Sequence, residues 1–177
     1  MRYIAFDIGI KNFAFIVMHF DEETKETNVQ TMHNCNLIRN KKDSVKNLIM
    51  DSKFFSNFHS IMKEFHDIFR VCDICLMERQ LFSKQNYKAC TIYHHLYAHL
   101  CIFFPTIKII GFPSKRKYFL PETLNQNYTF RKKWGIQFMT NYMNHQNDEI
   151  GLELLNTFQK RDDVADCFLM IYAYIYH

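Results

Sequence analysis

The sequence predicts an α/β fold built on a central five-stranded mixed sheet flanked by helices, and three observations predict it. Two short β-favouring apolar runs open the chain with a polar break between them. From residue 44 the apolar spacing turns helical. Two further compact apolar runs then interrupt the helical pattern, giving the order β-β-β-α-β-α-β-α-α, an antiparallel meander continued by helical crossovers.

Residues 2–8 (RYIAFDI) and 13–20 (FAFIVMHF) read as the strands of a hairpin, separated by the break Gly9 to Asn12. After the polar run DEETKET, residues 28–38 form a third strand with Val29, Met32, Leu37 and Ile38 as its apolar positions. Val45, Leu48, Ile49, Phe55, Phe58, Met62, Phe65 and Phe69 then recur near helical spacing, as one long helix or two shorter ones, with Asp43 or Ser44 placed to cap the start. VCDICLMER (71–79) is the fourth strand, and 86–104 is a helix stopped by Pro105. KIIGF (108–112) is the fifth strand, 113–120 a loop or short helix, 130–145 a helix, 144–156 a mobile loop, and 162–176 the last helix.

With 177 residues, no internal repeat and no obvious linker, one domain over 1–177 is expected. No run reaches the roughly 18 apolar residues of a membrane span, and the opening MRYIAFDIG carries an acid inside its apolar run, unlike a signal peptide. A soluble, intracellular protein without a membrane partner is expected, with its six cysteines reduced. The net charge of +4 is unevenly placed: residues 104–136 hold Lys108, Lys115, Arg116, Lys117, Arg131, Lys132 and Lys133 against one acid, Glu122. Such a block suits either contact with a polyphosphate or a solvated loop and helix face.

The acids are placed less simply. Asp7 interrupts the first strand, sharing a face with Tyr3 and Ala5 while Ile4, Phe6 and Ile8 face the other way. A carboxylate there is costly unless paired or bound to a cation, or unless it ends the strand and accepts hydrogen bonds from the following turn. Glu78 ends the fourth strand, at the edge where ligand and catalytic groups of α/β sheets gather, although alone it is most simply a polar strand end or a partner of Arg79. In KRDDVADCFLM (160–170), Asp162, Asp163 and Asp166 project to one side of a helix, where like charges repel. Asp162 is explicable as a cap; Asp166, a turn further in among Val164, Ala165, Cys167 and Phe168, is not. Acids on three separated elements suit an oxygen-only site for hard divalent cations, of which Mg²⁺ is the natural choice for phosphodiester cleavage.

FDIGIKNFA (6–14), LMERQ (76–80), GFPSKRK (111–117) and KRDDVADCFL (160–169) resemble, in order and spacing, the motifs of the RuvC-like Holliday junction resolvases, most closely the poxvirus type. The resemblance spans nearly the whole chain. It implies a ribonuclease H-like fold, a homodimer, and a viral endonuclease that nicks four-way DNA junctions in symmetric pairs with two Mg²⁺ ions, for which Mn²⁺ would substitute. It also implies water attack in line with departure of the 3′ oxygen, leaving 5′-phosphate ends. By the same resemblance Asp7 would bridge both metals, Glu78 would complete one site, Asp163 and Asp166 match the family's D-x-x-D, and Lys115 would stand near the scissile phosphate as a catalytic group. Asp162 is then an alternate ligand, a supporting group or a cap. Lys11 and Asn12 match the first motif and also suit the turn. Lys11, Lys115, Arg116, Lys117, Arg131, Lys132 and Lys133 would contact DNA, with Tyr118, Phe119, Tyr128 and Trp134 placed to stack on bases or to join the core. Poxvirus-like replication sites in the host cytoplasm would be the setting.

Other signals are weaker. Cys72-x-x-Cys75 has no second pair at zinc-ligand spacing, and His95 and His99, four apart beside His94, lack the Glu of H-E-x-x-H, so a packed or interfacial helix face is expected there. A sugar or acetate kinase-like ATPase also opens with a strand carrying an acid and a glycine, but needs more Gly-rich phosphate turns than Gly9, Gly111, Gly135 and Gly151 provide, and no nucleotide cofactor is expected. A non-catalytic nucleic-acid-binding module explains the basic segment and leaves the acids unexplained. A nuclease with broader appetite for flaps, bulges or forks would carry the same catalytic residues.

Overall fold

A computed structural model describes residues 1–38, 44–120, 123 and 125–177. Its strands are β1 (Arg2–Asp7), β2 (Phe13–Phe20), β3 (Thr27–Cys35), β4 (Ile74–Glu78) and β5 (Lys108–Phe112), in the sheet order β3-β2-β1-β4-β5. β1–β2 and β2–β3 are antiparallel, β1–β4 and β4–β5 parallel. The helices are α1 (Ser52–Glu64), α2 (His66–Arg70), α3 (Tyr87–Phe103), α4 (Tyr128–His145), α5 (Glu149–Asn156) and α6 (Asp162–Tyr176), with a 3₁₀ turn at Ser114–Lys117. The expected five-stranded mixed sheet flanked by helices is therefore present.

Strand alternation sorts the core onto two faces as expected. Tyr3, Ala5, Ile16 and Leu76 pack with Phe168 and Leu169 of α6 and Met139 of α4. Ile4, Phe6, Phe15 and Met77 pack with Phe58 of α1, Phe69 of α2 and Ile92 and Leu96 of α3. Phe69 meets Phe15 and Phe6 edge-on, with ring centroids 5.1 and 5.7 Å apart. Each such buried ring contributes roughly 1.5–3 kcal/mol over exposure. Among the described residues, no helix is long and apolar enough to cross a membrane.

Two local expectations are corrected. The helix expected from Ser44 begins at Ser52, because Asp51 caps it by accepting the Phe54 N–H at 2.9 Å. Ser44 instead opens a turn, its carbonyl accepting the Asn47 N–H at 3.1 Å. Asp43, the other expected cap, and Glu122, the acid of the basic segment, lie outside the described residues. Nor is 144–156 a loop: Asn147, at φ 54°, turns the chain in a conformation that Asn tolerates, and α5 follows. Asp148 caps α5 by accepting the Gly151 N–H at 2.9 Å and also accepts the Val29 N–H of edge strand β3 at 2.8 Å. Asp148→Ala strands both buried donors, so a loss of about 2–4 kcal/mol is expected in urea unfolding; a loss below experimental error would show that the bridge between α5 and β3 is not limiting.

Two histidines of α3, His95 and His99, are paired across to α1. His59 lies 3.0 Å from His99, Nδ1 to Nδ1, and 2.8 Å from His95, Nε2 to Nε2. Burial and the neighbouring His59, His95 and His66 push His99 down to about 4, so its imidazole is neutral at neutral pH and packs between α1 and α3.

Candidate active site

The register Tyr3↔Ile74 to Phe6↔Met77 carries Asp7 and Glu78 to the same end of neighbouring parallel strands. Asp7 pairs with Ala14, and Ala14 with Asn34, so Asn34 stands level with Asp7 on the same face. That face is covered by α6, whose first two turns bring Asp162, Asp163 and Asp166 over the strand ends. Asp7, Glu78, Asp163 and Asp166 line one cavity of about 400 Å³ with Asn12, Lys115, Lys117, Arg131, Lys132 and Lys160.

Gly9 shapes its rim. A Cβ there would stand 2.7 Å from the Asn12 carbonyl oxygen, so the turn closes only over glycine.

Three ammonium groups lie directly on the acids. Lys117, only 3% exposed, reaches Glu78 Oε2 at 3.1 Å and Asp166 Oδ2 at 3.0 Å. Lys132 reaches Asp166 Oδ2 at 2.9 Å and Asp162 Oδ2 at 3.2 Å. Lys160 reaches Asp163 Oδ2 at 2.7 Å and Asp162 Oδ2 at 3.8 Å, and Asn12, with its amide oxygen turned inward, accepts from Lys160 Nζ at 2.7 Å. Asn34 Nδ2 donates to Asp163 Oδ2 at 3.2 Å.

The two buried carboxylates respond oppositely. Burial would raise Asp166, but Lys117 and Lys132 outweigh it and hold its carboxyl below the ordinary range. Asp7 has no such direct partner among the described residues. Burial pushes it up to about 8, opposed by Lys117 and reinforced by Glu78 and Asp166. Lys117 and Lys132 are raised in turn, the surrounding carboxylates overcoming their own desolvation.

The donor set fits a hard divalent cation. Every carboxylate offers oxygen only, and Asp7, Glu78, Asp162, Asp163 and Asp166 outnumber by two the ammonium groups in direct contact with them. The raised Asp7 is the penalty that a cation beside it would relieve. Among the described residues, no three acidic, histidine or cysteine side chains are already gathered tightly enough to hold an ion; the ammonium groups of Lys117 and Lys132 bridge the carboxylates instead.

The remaining expected site residues divide. Lys115 lines the cavity, exposed and without an acid partner among the described residues, whereas Lys117, expected only to contact DNA, is the lysine that enters the acid cluster. Arg131 lines the cavity, stacked 4.9 Å from the Tyr118 ring, with its Nε buried and unpartnered among the described residues. Arg116 turns away, donating to the His177 carbonyl at 3.2 Å, and Lys133 is exposed outside the cavity. Lys11 lines a neighbouring cavity instead. Of the four candidate stacking rings, Tyr118 is 8% exposed, Trp134 stacks on Phe138 and Phe119 on His177, while Tyr128, 66% exposed, faces the cavity. Asp162 is the first helical residue of α6, not its cap, which is Arg161.

Sequence reasoning missed Lys160, whose spacing of three from Asp163 is a readable signal, and Asn34, which β-sheet register alone brings to the site.

Comparison with known proteins agrees across the whole chain. The family described as Poxvirus A22 protein matches residues 1–177. An uncharacterized protein, 97L of invertebrate iridescent virus 3, is 26% identical over 207 residues, covering 96% of this chain and 97% of that one. Among solved structures, the fowlpox virus resolvase with its substrate Holliday junction DNA superposes with a TM-score of 0.59 at 19% identity, covering 99% of this chain and 97% of that chain. The yeast mitochondrial Holliday junction resolvase gives a TM-score of 0.69 at 19% identity, covering 98% of this chain and 77% of that chain. The ribonuclease H-like fold expected from the motifs is thereby established.

Proposed function

Since the chain belongs to the poxvirus A22 protein family, we propose that it is a Holliday junction resolvase, a metal-dependent endodeoxyribonuclease that nicks four-way DNA junctions in pairs as a homodimer of one nuclease domain. The observation that carries this reading is the convergence of Asp7, Glu78, Asp163 and Asp166 from β1, β4 and α6 in one cavity of a fold shared with resolvases. Asp7, Glu78, Asp163 and Asp166 would hold Mg²⁺ or Mn²⁺, which when bound supplies activation of water and stabilisation of the departing oxygen.

The chain's own residues do the rest. Lys115 and Arg131, on the cavity wall and without acid partners among the described residues, bind phosphates beside the scissile one. Lys117 and Lys132 bridge Glu78, Asp162 and Asp166 and hold the Asp166 carboxyl below its ordinary range, so these ammonium groups occupy the space between carboxylates that a bound cation would share. Tyr128 offers an exposed ring to an unpaired base. The exposed Tyr97, Ile102 and Phe103 along α3 offer apolar area for the second copy. Gly9 argues against the kinase-like alternative: its lack of a side chain serves the Asn12 carbonyl packed against it, with no need to admit a nucleotide phosphate. The host cytoplasm, where linked genome copies would be separated, is the setting we assign.

Purified protein is expected to nick a synthetic four-way junction at paired positions with Mg²⁺ or Mn²⁺, to stop in EDTA, and to leave ligatable 5′-phosphate ends. Comparable cutting of linear duplex, or full activity in EDTA, would overturn the reading; equal cutting of flaps and bulges would replace it with the broader branched-DNA nuclease.

A further inference from the structure

A second cavity, of about 530 Å³, lies across the Gly9 turn from the acids and shares Gly9 with the first. Its wall carries Lys11, Lys46, Lys84 and Lys88 and, among the described residues, no carboxylate. Among the described residues, none of these four lysines forms an ion pair. Lys88 is 7% exposed, and its Nζ donates to the carbonyls of Val45 at 2.6 Å and Lys46 at 3.0 Å. A buried ammonium thus fastens the 45–46 segment to α3 and holds Lys46 at the cavity wall. Tyr87 to Ala89, the first turn of α3, line the cavity too. That turn contains no acid, and the Asn86 side chain does not cap it, donating instead to Gln80 Oε1 at 3.2 Å and the Leu81 carbonyl at 3.0 Å. Four lysines and an uncapped helix start, with no acid on the cavity wall among the described residues, form a concavity of one sign that favours an anion.

We infer that this cavity binds the backbone phosphates of the DNA whose scissile bond enters the acid cavity, so that one strand runs over the Gly9–Asn12 turn from one cavity to the other. This assignment rests on the nuclease reading for its ligand. DNA is favoured over a free polyphosphate because the two cavities adjoin across a single turn and the second is open to Lys11, Lys46 and Lys84, all exposed. A continuous polyanion uses both; a small anion needs only one.

The test is the double variant K46E/K84E, which touches none of the acids, measured by fluorescence anisotropy against a four-way junction in EDTA. Affinity is expected to fall about tenfold or more near 0.1 M salt, and the slope of log K against log salt to shrink by about two. Nicking at saturating DNA should stay within about twofold of wild type, since these lysines bind and do not react. K46R/K84R should restore affinity, and K46Q/K84Q, with a smaller loss, serves if the glutamate variant fails to fold. Unchanged affinity and slope with nicking intact would overturn the site and leave the nuclease reading standing. Weakened binding in a protein that never cuts would keep the site and remove the nuclease reading. Loss of sodium triphosphate binding with DNA affinity unchanged would overturn the DNA assignment in favour of a free polyphosphate.

Discussion

Asp166→Asn is expected to abolish junction nicking while leaving junction binding within about threefold, since the change removes one negative charge facing phosphates and almost no volume. The rate should fall by more than about 100-fold, the upper scale for losing a mere supporting group around a metal. Asp166 is the carboxylate on which two ammonium groups converge, Lys117 at 3.0 Å and Lys132 at 2.9 Å. Removing one partner of a buried ion pair usually costs about 3–5 kcal/mol. Here each lysine retains another acid, Lys117 on Glu78 at 3.1 Å and Lys132 on Asp162 at 3.2 Å, so the folded protein should survive for assay. Asp162→Asn is the control. Among the described residues Asp162 pairs with Lys132 and Lys160, so its loss should cost no more than about tenfold in rate, on the scale of a supporting group. Equal losses in the two variants would move Asp162 into the reacting set, and near-normal cutting by Asp166→Asn would remove Asp166 from it.

The acids were legible before the fold because each breaks a local rule. Asp7 stands in a β-favouring run, and Asp166 stands in an apolar helix beyond the reach of capping. The strands were legible from alternation, and the two faces of β1 fell where alternation put them. The choice among lysines was not legible. Lys115 and Lys117 are two residues apart in SKRK, and only the 3₁₀ turn at Ser114–Lys117 decides that Lys117 points into the acids while Lys115 stays exposed. Lys46, Lys84 and Lys88 carry no local signal either, because the cavity they share is assembled from segments about forty residues apart along the chain. Helix starts were misplaced where a loop residue, Asp51 or Asp148, supplied a cap that the apolar pattern could not rank above its rivals.

Asp7→Asn is expected to eliminate nicking and, without divalent metal, to make the protein more stable than wild type at alkaline pH. The direction follows from the Asp7 carboxyl, which burial pushes up to about 8 in the folded protein against an ordinary value of 3.8. Below the ordinary value both folded and unfolded chains carry the proton, and aspartic acid and asparagine are nearly equivalent. Between it and the folded value only the folded chain keeps the proton, so unfolding releases one. Wild-type stability then falls with rising pH by up to about 1.4 kcal/mol per unit, while the asparagine variant lacks this component. Above the folded value the carboxylate is charged in both states and the gap stays constant, on the order of a few kcal/mol. Asp166, held low by its lysines, acts in the opposite direction in both proteins. Urea unfolding of the pair in EDTA should therefore show a gap that widens from about pH 5 to pH 8 and then levels. Millimolar Mg²⁺ should raise the wild type far more than the variant, because binding to the folded state alone stabilises it. A gap that stays flat across that range would mean Asp7 is solvated and not strained toward a cation, and equal stabilisation by Mg²⁺ would mean the ion is held without it.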